Sequence, residues 1–188
     1  MKYTILALAV GLLCVNALVP SPNENTDSDV KIEAFSALGL TYRILEATLR
    51  SIKGFNCVLK WVGGIEDSAL QFNADVESCG ATASQDVTNL INANLKIVKT
   101  CDDIVNLKSK TCASVEDEEP KVSSSCVVKT AGKVWSLKEQ VESAIALAEK
   151  IPKTGPNAVV CVSDAVNTLT TYYTAFPKNM VICSQLTS

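Results

Sequence analysis

The chain contains no histidine. That absence removes serine–histidine and cysteine–histidine nucleophilic catalysis, histidine general acid–base work and every histidine-ligated metal site. Arginine is confined to Arg43 and Arg50, so there is no basic stripe to displace counterions from phosphate, and nucleic acid is not an expected partner. The closest cysteines, Cys101 and Cys112, are 11 residues apart, which excludes a C-x-x-C redox motif and a zinc knuckle. Gly132-Lys133 has neither the upstream glycine nor the following serine or threonine of a P-loop, and no G-x-G-x-x-G or G-x-S-x-G occurs. There is no asparagine-x-serine/threonine sequon, so N-glycosylation is not expected.

What is present begins with Lys2 and an apolar run from Tyr3 to Val15, closed by Asn16-Ala17. That pattern reads as a signal peptide over residues 1–17. No later segment supplies the ~18 uninterrupted apolar residues of a membrane span. Cleavage after Ala17 removes Lys2 and no acid, leaving 16 basic against 20 acidic side chains, a net charge of −4. Residues 18–29, polar and punctuated by Pro20 and Pro22, read as a disordered leader. Residues 30–188 read as a single helical domain, large enough to bury a core of its own. Beyond Cys14 the chain carries Cys57, Cys79, Cys101, Cys112, Cys126, Cys161 and Cys183. In an oxidising export route these are expected to form three disulfides and leave one odd thiol, free or bonded to another chain as a covalent dimer.

Periodicity gives the fold class. Phe35, Leu38, Tyr42, Leu45, Leu49 and Ile52 form one amphipathic stripe, predicting a first helix over residues 30–53, started near Asp27 to Asp29 and broken at Gly54. Val58, Val62, Ile65, Ala69, Phe72, Val76 and Cys79 carry a second stripe straight past Gly63-Gly64. Gly80 is placed to stop it, and Thr82 with Gln85 resembles a capping box for a third helix bearing Val87, Leu90, Asn94, Ile97, Cys101, Ile104 and Leu107. After the acidic stretch Glu116 to Glu119 and Pro120, Ser123 to Ser125 offer a cap for a fourth helix that Pro152 ends. Asn157 caps a fifth, whose stripe Val159, Val162, Val166, Leu169, Tyr173 and Phe176 is expected to stop at Pro177. No segment alternates with period two. The expected architecture is all-α, a disulfide-stapled bundle of four to five antiparallel helices.

The cysteine spacings add geometry. Cys57, Cys79 and Cys101 are successively 22 residues apart, as are Cys161 and Cys183. Twenty-two steps at ~100° return to within ~40° of one helix face, while two such residues in one straight helix stand ~33 Å apart, so bridges must cross between helices. If Gly80 turns the chain, Cys57 and Cys101 lie at matching height, and a Cys57–Cys101 bridge is expected. The turn at Thr154-Gly155 places Cys161 at the Cys79 end, giving Cys79–Cys161. The third bridge would use two of Cys112, Cys126 and Cys183.

Carboxylates at Glu66-Asp67, Asp102-Asp103 and Glu116 to Glu119 could in principle serve glycosidase-type chemistry, but helix-surface acids are ordinarily solvated. The Glu116 to Glu119 stretch lacks the alternating ligands and central glycine of an EF-hand. Lys129, Lys133 and Lys138, with Glu139 and Glu142, read as a charged helix face. Trp61, Trp135, Tyr172 and Tyr173 could line an apolar pocket or simply pack the core. No catalytic, metal or cofactor residue is assigned, no cofactor is expected, and the expectation is a non-enzyme.

Among insect secreted helical proteins, odorant-binding proteins carry C-x3-C and C-x8-C spacings that are absent here. Over Phe55 to Cys183, widely spaced cysteines in helical segments, Cys57 to Cys79 and Cys161 to Cys183, resemble the TsetseEP-domain family of small secreted fly proteins. The long glutamate–proline repeats of that family are missing, Glu119-Pro120 being a single instance. The resemblance implies secretion and a helical fold and supplies no catalytic residues. The expected function is that of a secreted extracellular binding or interaction protein with an unknown extracellular protein as partner. The alternative is a carrier of small apolar, lipid-like ligands inside the bundle.

Overall fold

A computed structural model describes residues 40–80, 84–112, 122–153 and 159–187. The described residues form five α-helices and no strand: α1 (Tyr42–Arg50), α2 (Ile52–Ser78), α3 (Gln85–Thr111), α4 (Ser124–Ala148) and α5 (Val160–Ser184), followed by a 3-10 turn (Gln185–Thr187). The architecture is the expected all-α, disulfide-stapled bundle. None of these helices is long and apolar enough to cross a membrane.

Helices α2 to α5 each pack against the next, and α5 returns to pack along α2. Cross-helix contacts fix the directions. Asn94 reaches Asn73 across α2 and α3, and Thr100 Oγ1 donates to Gln140 Oε1 at 3.0 Å across α3 and α4. On the outer pair, Cys57 is bonded to Cys183 and Cys79 to Cys161. Each neighbouring pair so linked is antiparallel, and α1 lies against α2, α4 and α5. The predicted stripes face inward: Val58, Val62, Ile65, Leu90, Ile97, Ile104, Leu137, Val166, Leu169 and Tyr173 are all buried.

Helix boundaries follow local chemistry, and several differ from the sequence reading. α1 begins at Tyr42, because Thr41 adopts extended backbone and its hydroxyl accepts from the Ile44 N–H. The expected start at Val30 and cap at Asp27 to Asp29 lie outside the described residues. The first break is at Ser51, not Gly54. Ser51 is extended, ends α1 and caps α2 by accepting from the Gly54 N–H at 3.0 Å. Gly54 instead lies buried in the first turn of α2, where a Cβ would collide with the Thr48 carbonyl; the glycine lets the two helices meet at a sharp corner. Gly80 does end the α2 turn, in the left-handed conformation at φ 61° that favours glycine. α3 is capped by Ser84, whose hydroxyl accepts from the Val87 N–H, while Gln85 turns outward to Asn89. The cap therefore lies at Ser84, two residues past the expected Thr82, which is outside the described residues. Ser123 caps α4 as expected. Val159 precedes α5 without a side-chain cap, and Asn157 lies outside the described residues.

Pro177 does not end α5. The helix runs on to Ser184 with Pro177 buried inside it. Proline forfeits one hydrogen bond to the carbonyl four residues back, yet Met180 and Cys183 continue the buried stripe of Tyr173 and Phe176. Tertiary packing and the Cys57–Cys183 bond hold the last turns in place.

The disulfides are Cys57–Cys183, Cys79–Cys161 and Cys112–Cys126, with Cα separations of 5.6, 5.9 and 5.3 Å, and Cys101 is a buried free thiol. The Cys79–Cys161 bridge is the expected one. Cys57–Cys101 is not formed, because the hairpin turns later than Gly80: the Asn73–Asn94 contact pairs positions summing to 167, which sets Cys57 opposite residue 110 and roughly 13 Å along the axis from Cys101. Direction differs as well: Cys57 is bonded to Cys183 of α5, whereas Cys101 sits on the inward stripe of α3 with 0% exposure. The odd cysteine is thus Cys101 rather than one of Cys112, Cys126 and Cys183, and its burial removes the basis for a covalent dimer. The chain-entropy model gives ~3 kcal/mol for a loop the size of Cys112–Cys126 and nearly 5 kcal/mol for one the size of Cys57–Cys183. Non-reducing peptide mapping should return these three links. Alkylation should reach Cys101 only after denaturant is added, and labelling under native conditions would contradict its burial.

Candidate functional site

Two adjoining regions concentrate the side chains that packing alone does not account for. The first lies on the outer seam of α2 and α5. Cys57, Trp61 and Gly64 follow one another at helical spacing on the face of α2 turned to α5. Trp61 meets Tyr172 with ring centroids 5.8 Å apart at a tilt of 45°. The Tyr172 hydroxyl lies directly over Gly64, where any Cβ would overlap it. A mid-helix glycine costs ~1 kcal/mol relative to alanine, and here it creates the seat for the phenol. Beside this pair runs an open groove of about 580 Å³, lined by Trp61, Asn167, Thr168, Thr171, Tyr172, Ala175 and Asn179. Burial and the Asp67 carboxylate push the Tyr172 phenol up, so it stays a neutral donor.

The second region is behind the first, between α2, α3 and α5. Tyr173 donates to Asn94 Oδ1 at 2.8 Å, both residues fully buried, and Asn94 Nδ2 points to Asn73 Oδ1 at 3.5 Å. Burial and the neighbouring Cys101 sulfur raise the Tyr173 phenol. Burial, with Glu66 and Asp102, pushes the Cys101 thiol up to about 12. Glu66 of α2 faces Asp102 of α3 across the hairpin, close enough for the two carboxyls to interact. Partial burial, followed by the Asp102 and Asp67 charges, lifts the Glu66 carboxyl.

The acids singled out in sequence are therefore regrouped. Glu66 pairs with Asp102 rather than with its neighbour, Asp67 is exposed beside the seam, and Asp103 accepts from Lys133 at 2.8 Å. Glu116 to Glu119 lie outside the described residues. The aromatics divide three ways instead of lining one pocket. Trp61 and Tyr172 border the groove, Tyr173 is in the core, and Trp135 packs edge-on against Tyr42 at 5.8 Å. Lys138 is not part of a solvated face: it is 7% exposed, bonded to Glu142 at 2.6 Å and held 4.8 Å from the Trp135 ring. Among the described residues no group of three or more cysteine, aspartate or glutamate side chains is placed to hold a metal.

No family model, characterised protein or solved structure matches the chain. The likeness to TsetseEP-domain proteins accordingly rests on cysteine spacing alone.

Two residues on this seam and core were missed in sequence. Gly64 drew notice in sequence only because the second stripe continues straight past Gly63-Gly64, which gives no hint of a role as a seat for Tyr172. The partner of Cys57 did have a signal: the Cys57–Cys79 and Cys161–Cys183 intervals are equal, as antiparallel neighbours bonded at both ends require.

The titrations have defined signs. The folded Glu66 carboxyl titrates above its unfolded value, so the protonated form contributes stability that is fully present below the unfolded pKa and lost as pH rises through the folded one. Glu66→Gln should therefore be more stable than wild type at neutral pH, and the difference should shrink in acid. For Cys101 the contribution is complete below the ordinary thiol value of 9.0 and is lost as pH climbs towards about 12. Cys101→Ala should flatten the alkaline fall of stability, measured by urea unfolding across that window. A double-mutant cycle tests the phenol seat: Gly64→Ala should stabilise by ~1 kcal/mol in a Tyr172→Ala background and show no such gain when Tyr172 is present.

Proposed function

We propose that this protein is a secreted, non-enzymatic extracellular binding protein that works through its outer surface. The observation that carries the reading is the way the bundle is closed. Cys57–Cys183 and Cys112–Cys126 tie one end, Cys79–Cys161 ties the other, and the space between is filled by side chains such as Leu90, Ile97, Leu137, Leu169, Tyr173 and Phe176 at or near zero exposure. A stapled helical body of this kind offers recognition on its outside, where the grooves of the α2–α5 and α3–α4 seams lie. Export is supported by the amino-terminal apolar run and by three disulfides, which persist in oxidising compartments. The non-enzymatic part is supported by the lack of histidine and by the use of the paired acids in side-chain contacts of the bundle.

Native mass spectrometry of the protein purified from its source separates this reading from that of an apolar carrier. The expected result is a protein free of lipid, with three disulfides and one thiol, that retains a macromolecular or soluble polar partner. A stoichiometric lipid released on unfolding would overturn it in favour of the carrier.

A further inference from the structure

The α2–α5 groove has a chemistry that narrows its ligand. Its lining contains no charged side chain. Without a lining cation it has nothing to hold an anionic ligand, and the neighbouring Asp67 carboxylate is exposed to solvent, where its attraction for an ammonium is screened. It does combine two half-buried aromatic faces, Trp61 and Tyr172, with two amides, Asn167 and Asn179. Two hydroxyls complete it. Thr168 Oγ1 donates to the Asp164 carbonyl at 3.0 Å and Thr171 Oγ1 to the Asn167 carbonyl at 2.8 Å, so both threonine protons are committed inward. Their remaining lone pairs can only accept. Each amide offers an acceptor as well as donors, and the indole N–H and the phenol add donors. A ligand matching this set must be uncharged, must both donate and accept hydrogen bonds at several points, and must carry flat C–H faces that lie against aromatic rings.

A second, independent observation is the Gly64 seat. A half-exposed tyrosine could pack against an alanine-bearing helix with its ring swung outward. Here α2 carries a glycine at mid-helix, and the phenol is pinned beside Trp61 at a fixed tilt. Fixing the rings beforehand removes part of the ordering cost of binding.

We infer that the α2–α5 groove is a binding site for a neutral saccharide, with sugar C–H faces on Trp61 and Tyr172 and sugar hydroxyls on Asn167, Asn179, Thr168 and Thr171. The inference deepens the surface-binding reading and rests on it. A saccharide could reach the groove as a free oligosaccharide or as the glycan of another protein, and the chemistry at the groove is the same.

The test uses the full mature chain. In a Trp135→Phe variant the remaining emission reports Trp61. It is titrated with free neutral oligosaccharides of glucose, mannose and N-acetylglucosamine, and in a second arm with a glycoprotein bearing neutral mannose-type glycans. Heparin and a fatty acid serve as charged and apolar controls. A saturable emission shift with a saccharide in at least one arm is expected, and the arm that responds identifies the source. In calorimetry the paired Asn167→Ala, Asn179→Ala variant and, separately, Trp61→Ala should each weaken that binding about tenfold or more, the size expected for the loss of two hydrogen bonds or a buried aromatic contact. Helical circular dichroism should be unchanged in the amide variant, which keeps the test valid if Trp61→Ala fails to fold. Absence of saturable binding in both arms, undiminished binding by the amide variant, or occupation of the groove by heparin or fatty acid instead would overturn the assignment. A partner recovered by native mass spectrometry whose binding withstands the amide substitutions would sink the saccharide site and leave the surface-binding reading standing.

Discussion

The antiparallel pairing of α2 with α5, bonded at both ends, is the constraint on which the rest of the molecule depends. The two bridges have sequence separations of 126 and 82, and both are centred on position 120. The third, with a separation of 14, is centred on position 119. The chain is therefore a hairpin of hairpins, folded back on itself about one point, with α3 and α4 nested inside α2 and α5. Once α2 and α5 are held in register, Trp61 is delivered to Tyr172, Gly64 to the Tyr172 hydroxyl, and Asn73 and Asn94 to the helix that brings Tyr173. The seam and the core network follow from one alignment. The outer bridges close long loops and so restrict the unfolded chain most, whereas Cys112–Cys126 only clips adjoining helix ends.

Inside that frame the polar core does work that an apolar core would not. Asn94 is completely buried in the middle of the inward stripe of α3 and holds the Tyr173 hydroxyl at 2.8 Å. Sliding α3 against α5 by one turn would strand both groups without partners, at a cost of ~1–3 kcal/mol each. Hydrophobic stripes tolerate such slips far better, since one leucine replaces another. Cys101 occupies the same stripe as a small apolar filler. Burial keeps it a thiol, so it is a poor nucleophile towards the three disulfides of the chain.

The stripes were legible because each long helix buries one face, and a buried face writes its period into the sequence. Phe72, Ile97 and Leu169 all lie where the pattern put them. Helix ends were less legible because capping is decided by single side chains competing over one or two positions: Ser51 displaced Gly54, and Ser84 displaced Thr82. Pro177 was misleading for a tertiary reason, since the buried stripe and the Cys183 bond outweigh one missing hydrogen bond. Among the cysteines, the height read for Cys79 and Cys161 held, but the one read for Cys57 and Cys101 failed because the α2–α3 register is centred past Gly80. A turn displaced by a few residues moves the facing position by twice that number, which is enough to separate two cysteines. The groove was the least legible feature. Trp61 and Tyr172 are 111 positions apart, and only the fold makes them neighbours.

The position of the staples also bears on where recognition can occur. Each disulfide joins helix ends, so the long outer face of the α2–α5 seam between Cys57–Cys183 and Cys79–Cys161 is spanned by no covalent bond. Along that face the helices are held by the core behind them and by the Trp61–Tyr172 ring contact across the front. Thr168, Thr171 and Thr174 turn their hydroxyl protons back to carbonyls of their own helix, which satisfies these side chains within α5. An unbridged, internally satisfied seam flanked by rigid ends can accept a ligand without breaking any contact that the fold requires.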